Sequence, residues 1–146
     1  MSDFSRATIY DRFYTRVAET IGNSTKERML ITTFKFGAST LYVDRTTTPP
    51  TLLPIPDTAA GISWFFTGQT ECIVDQGRVL VRCRMPAGSL VTPKELICVG
   101  IFDAQNNLIA ILQSLPDWLT PTDEHVAYGY LDFPNLGANP PTAPSA

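Results

Sequence analysis

Apolar residues fall along this chain in three kinds of pattern, and each predicts a different element. From Ser5 to Ile21, Ile9, Phe13, Val17 and Ile21 recur at four-residue steps with Tyr10, Tyr14 and Ala18 beside them, the wide stripe of an amphipathic helix. Arg12, Arg16 and Glu19 fall elsewhere on the wheel, Ser5 or Thr8 can cap the start, and Gly22-Asn23 supplies the left-handed residue that ends such a helix. Val79, Val81, Cys83 and Met85 alternate with Arg78, Leu80, Arg82 and Arg84, which predicts a strand with one buried face and one mostly wet face. Val99 to Leu112 is different again. Two apolar arms, filled on nearly every position, flank the polar cluster Asp103 to Asn107, whose side chains bond their own backbone and whose asparagines tolerate positive φ. This predicts a β-hairpin covered on both faces, the centre around which other segments form layers.

The remaining segments are shorter. Asn23 to Arg28 reads as a polar connector, and Met29 to Phe36 as a strand with Leu30, Thr32, Phe34 and Phe36 on one side, stopped by Gly37. Between Asp44 and Gly61 the chain carries Pro49, Pro50, Pro54 and Pro56, so an extended surface loop is expected. Ile62–Thr67 and Thr70–Asp75 read as a second hairpin around Gly68-Gln69, with a further turn at Asp75-Gln76-Gly77. Pro116-Asp117-Trp118 and Pro121 to Glu124 read as loops, and Val126 to Leu131 as a last strand with Tyr128 and Tyr130 on one face. From Pro134 the prolines are too many to pair and the apolar surface too small to pack, which predicts a flexible tail.

Composition narrows the class. A chain of 146 residues suits one domain, burying about 68–70% of the surface its unfolded form exposes. The 44% hydrophobic and 17% charged content exclude general disorder, and a formal charge of −3 gives no attraction to nucleic acid or anionic lipid. No apolar run reaches the ~18 residues of a membrane span, and no basic segment followed by an apolar one stands at the start, so we expect no membrane insertion and synthesis in a cytoplasm. Cys72, Cys83 and Cys98 sit in apolar runs without Cys-x-x-Cys spacing, and read as free buried thiols.

Residues suited to chemistry are few. His125 is the single histidine, with no nucleophile elbow to serve, and reads as a surface-loop residue. Asp103-Ala-Gln-Asn-Asn107 matches the first ligand positions of a calcium loop, yet Leu108 stands where that loop needs glycine and Ser114 where it needs glutamate. Asp117, Asp123 and Glu124 read as solvated carboxylates. Arg78, Arg82 and Arg84 form a basic stripe, either a solvated face or a grip for a carboxylate-bearing partner. No catalytic, cofactor or metal residue is assigned. Phe4, Tyr10, Tyr14, Trp64, Trp118, Tyr128 and Tyr130 are the candidate interface, because rings at helix ends and loop sites anchor protein contacts or stack on sugars.

Gly100-Ile101-Phe102-Asp103 followed by Leu108-Ile109-Ala110-Ile111 resembles the Gly-Leu-Tyr-Asp, turn, Leu-Ile-Ala-Val string of the N-terminal domain of bacteriophage tail-collar fibre proteins. Ile31-Thr32-Thr33-Phe34 to Gly37 is similar to that domain's first strand, and Val79-Leu80-Val81 running to Met85-Pro86 to a later one. The likeness runs in order over roughly residues 5 to 115. It departs at Cys98, where the family commonly has glutamate, and at Gly37-Ala38-Ser39, which replaces a glycine-rich turn. The resemblance implies a virion structural protein of a tailed phage, placed in the tail. Its partners would be other tail or baseplate proteins, with homotrimeric or ring-bound copies. As the chain ends at Ala146, the expected role is attachment alone, a connector or baseplate component.

The expected architecture is a mainly β, antiparallel sandwich-like domain over 1–133, with a helix at 5–21, a β body at 29–131 and a proline-rich tail at 134–146. The alternative function is a glycan-binding module using exposed aromatics. Two coplanar exposed rings flanked by carboxylates or amides are its expected signature.

Overall fold

The computed structural model describes residues 2–3, 6–22, 29–76 and 78–132. Phe4, the 23–28 connector and the 134–146 tail lie outside the described residues.

The hairpin predicted at the centre is there. Strands β9 (Lys94–Asp103) and β10 (Leu108–Leu119) pair antiparallel, and their facing arms are buried from Leu96 to Asp103 and from Leu108 to Gln113. Strand β2 (Arg6–Ile9) adds to the outer side of β10. Strand β3 (Ile31–Ala38) adds to β9, and β6 (Ser63–Gln69) to β3, giving a five-stranded sheet in the order β2-β10-β9-β3-β6. A second sheet runs β1 (Ser2–Asp3), β11 (His125–Asp132), β8 (Arg78–Met85), β7 (Glu71–Asp75), antiparallel except for β1 against β11.

One apolar cluster joins the two sheets. Phe34, Phe36, Leu96, Val99, Ile101, Ile109 and Leu112 from the first meet Val81, Cys83, Met85, Ala127 and Leu131 from the second. The alternation read in β8 holds: Val81, Cys83 and Met85 are buried and Arg78, Arg82 and Arg84 are exposed. Close approach shows at Gly129, where a Cβ would lie 3.2 Å from Leu112.

The other face of the hairpin is covered by the proline-rich segment, contrary to its expected place as an extended surface loop. Strands β4 (Val43–Asp44) and β5 (Thr51–Leu52) pair within it, and Val43 and Ile55 pack with Tyr10, Ile97, Cys98, Phe102, Leu108 and Ile111 in a second cluster. Among the bonds that pin it, the Tyr10 hydroxyl donates to Ile55 O at 2.7 Å and Gln113 Nε2 to Leu53 O at 2.9 Å. Prolines suit this layer because it contributes side chains, while few of its backbone groups enter a ladder.

Four other expectations need correction. The helix, α1, is Asp11–Gly22, because Arg6–Ile9 leaves the helical pattern to pair with Ala110–Gln113. The run 62–75 is no hairpin: β6 pairs with β3 and β7 with β8, so the chain crosses from one sheet to the other at Thr70. Gly37 does not stop β3, and Pro116 to Trp118 belong to β10, whose pairing with β9 is irregular between Gln113 and Asp117.

Candidate functional site

His125 is not a surface histidine. It opens β11 at 4% exposure, with its ring edge-on to Phe36 at 5.9 Å between centroids. Burial holds its pKa below the usual imidazole value, against the raising influence of Asp117 and Asp123. Asp123 accepts from Thr120 N and Glu124 from Arg84 Nε, so these carboxylates serve a turn and a cross-strand pair. Cys83 and Cys98 are buried thiols, the latter pushed up to about 12 by desolvation, while Cys72 is exposed on β7 and corrects the reading that all three are buried. Among the described residues no three His, Cys, Asp or Glu groups come together as a metal ligand set.

The calcium-like string is a turn whose own backbone satisfies its acid. Asp103 Oδ1 accepts from Gln105 N at 3.0 Å and Asn107 N at 2.8 Å, and Oδ2 from Asn107 Nδ2 at 3.2 Å. Asn106 takes the left-handed φ of 63° that the bend requires. From the helix, Arg16 approaches the same carboxylate and Arg12 Nη1 donates to Leu108 O at 3.0 Å.

The seven candidate rings separate. Tyr10 is 8% exposed and belongs to the second cluster, so it is not a free contact residue. Trp64 is half-buried over glycine: a Cβ on Gly37 or Gly100 would stand 2.9 Å or 2.7 Å from its ring, and its partner is Phe102, edge-on at 5.6 Å. Tyr14 is exposed on the helix beside Phe13, Tyr128 is half-buried, and Tyr130 and Trp118 are exposed. Phe4 lies outside the described residues. Trp64, half-buried and edge-on to Phe102, is not an exposed stacking ring.

Tyr128 and Tyr130 do share a surface, the outer face of the four-stranded sheet. Register places Tyr130, Leu80 and Ile73 in one row across β11, β8 and β7. On one side runs Tyr128, Arg82 and Glu71, and on the other Asp132, Arg78 and Asp75. Arg82 pairs with Glu71 at 3.0 Å and Arg78 with Asp132 at 2.6 Å, and the Arg78 guanidinium also lies 4.0 Å from the Tyr130 ring centroid. The basic stripe is therefore matched within the chain. The apolar row opens onto β7, a sheet edge that is exposed throughout, with Ile73 at 63% and Val74 at 77%. Sequence reasoning passed over Ile73 because its run was assigned to a hairpin with β6. Beside β7, on the inner side, a groove of about 330 Å³ is lined by Phe13, Met29, Leu30, Ile31, Cys72, Val74 and Val79.

A second concavity, of about 390 Å³, lies where β3, β6, β9 and β10 end, with Trp118 on its wall. Comparison of the chain with known family models, curated proteins and solved structures finds no match.

Proposed function

We propose that the protein is a structural component of a tailed-phage virion, a connector between baseplate and tail fibre or a baseplate part, and not an enzyme. In this reading the two sheets are the layers of a β-sandwich, and its outer face meets other tail proteins or sister copies in a trimer or ring. The carrying observation is that outer face: an apolar row of Ile73, Leu80 and Tyr130 framed by arginine–carboxylate pairs, ending at the open edge β7. An apolar centre with a charged rim is the anatomy of a protein interface, and an uncovered edge strand offers unpaired backbone groups to a partner. The Gly100–Asp103 and Leu108–Ile111 strings that resemble the tail-collar domain add the virion context, and both fall on the central hairpin.

The test is the mass of the full chain by light scattering, together with immunolabelling of virions that carry it. A trimer or ring that falls to monomer in Ile73→Lys, with label at the tail, supports the proposal. A monodisperse monomer with label absent from the tail overturns it.

A further inference from the structure

Four chain segments converge on the cleft beside Trp118: Ala38 to Thr40 after β3, Gly61 to Ser63 at the start of β6, Pro93 to Glu95 at the start of β9, and Trp118 near the end of β10. Trp118 sits directly opposite Glu95 in the ladder, yet its side chain stays 63% exposed. A large ring left in water inside a paired strand is not serving the core. Polar groups stand around it among the apolar Ala38, Gly61 and Pro93. The Glu95 carboxylate is held by the Arg45 guanidinium, and Ser39 Oγ accepts from Leu41 N. The hydroxyls of Thr40 and Ser63 and the ammonium of Lys94 make no hydrogen bond or ion pair among the described residues.

We propose that this cleft is a saccharide subsite, with the indole of Trp118 as the stacking platform and Glu95 as the acceptor for a pair of neighbouring sugar hydroxyls. A pyranose has one apolar C–H face and a rim of hydroxyls, and so needs a flat ring next to fixed acceptors and donors. Here Trp118 supplies the ring, Glu95 the acceptor, Lys94 a donor, and Thr40 and Ser63 groups that do either. Arg45 orients the carboxylate before any ligand arrives, which lowers the ordering cost of binding. The volume falls within the roughly 300–1,000 Å³ of small-ligand sites. The site shares no residue with the outer face of the four-stranded sheet, so it stands or falls independently of the assembly reading.

The test uses the full chain and three probes, chitotriose, maltotriose and cellotriose, read by saturation-transfer NMR and by titration at millimolar sugar. At least one probe should show transfer, with affinity falling about tenfold or more in Trp118→Ala and severalfold in Glu95→Gln. The urea midpoint of Trp118→Ala should match that of the parent, because the ring is exposed. Absence of transfer from all three sugars overturns the proposal, as does transfer undiminished in both variants. If no sugar binds and Trp118→Ala instead lowers the mass of an assembly, the ring is a protein anchor and the proposal fails.

Discussion

The Nε atom of Arg16, on the helix, stands 3.2 Å from Oδ2 of Asp103, the last residue of β9. The contact couples the one helix of the described chain to the turn of its central hairpin, and Asp103 is 1% exposed while it does so. Three further N–H donors reach the same carboxylate. Removing the acid from such a site leaves two backbone amides and the Asn107 side-chain amide without their acceptor at once, and takes one partner from Arg16, whose Nη2 keeps Gln105 Oε1.

Asp103→Ala should therefore cost about 3–5 kcal/mol in urea unfolding, the range for breaking a buried pair. Arg16→Ala should cost less, about 1–3 kcal/mol, because the carboxylate keeps its N–H donors and the arginine is partly solvated. Asp103→Asn should fall between. Equal losses for the two alanine variants would show that the turn bonds carry no weight.

Trp64 is held in place by the absence of side chains beneath it. On Gly100 a Cβ would stand 2.7 Å from Trp64 Cη2 and 2.9 Å from Phe102 Cε1. Gly100→Ala should destabilise by about 1–3 kcal/mol through overpacking. The chain has two tryptophans, so in a Trp118→Phe background the emission reports Trp64 alone. It should shift to the red as the ring is pushed toward solvent, and an unmoved spectrum with unchanged stability would contradict this packing.

Much of this frame was written locally. The hairpin was legible because both arms are apolar without alternation, and its turn because Asp103 and Asn106 have side chains that make tight bends unaided. Strand β8 was legible because Val81, Cys83 and Met85 alternate with arginines. What failed depended on distant partners. Ile9 continues the four-residue spacing of Phe13 and Val17, but Arg6–Ile9 finds an open edge on β10, and pairing overrides periodicity. Gly68-Gln69-Thr70 has the composition of a hairpin turn, and only the sheet assignments of β6 and β7 reveal a crossing. Of the aromatic set Tyr130 and Trp118 are exposed, while Tyr10 and Trp64 are claimed by a layer that the prolines concealed.

That layer makes its own prediction. Tyr10→Phe removes a buried hydroxyl from Ile55 O and should cost about 1–3 kcal/mol. Gln113→Leu should be close to neutral. It loses the bond to the exposed Leu53, but it also removes Oε1, which is buried with no hydrogen-bond partner among the described residues. Hydrogen exchange at Leu53 N, bonded to Tyr42 O at 2.9 Å, reads the layer directly. It should accelerate in Tyr10→Phe well beyond Gln113→Leu, and the opposite order would refute the assignment of Tyr10 as the main pin.

His125 sets the response to acid near neutrality. Burial lowers its folded pKa, so below about pH 6.5, the ordinary imidazole value, the unfolded chain binds more protons than the folded one. Stability is then fully present above that pH and is lost as pH falls from it toward the folded value. The slope is at most about 1.4 kcal/mol per pH unit, and it flattens once the folded imidazole also protonates. Asp117 and Asp123 oppose the shift and so narrow the window. The lowered carboxylates of Asp44, Asp123 and Glu124 titrate in a more acidic range, which keeps the two effects apart. His125→Phe preserves a ring against Phe36 and should abolish the slope between pH 7 and the carboxylate range of about 4.5, as read from urea midpoints along a pH series. A slope that persists unchanged in the variant would mean that another group carries it.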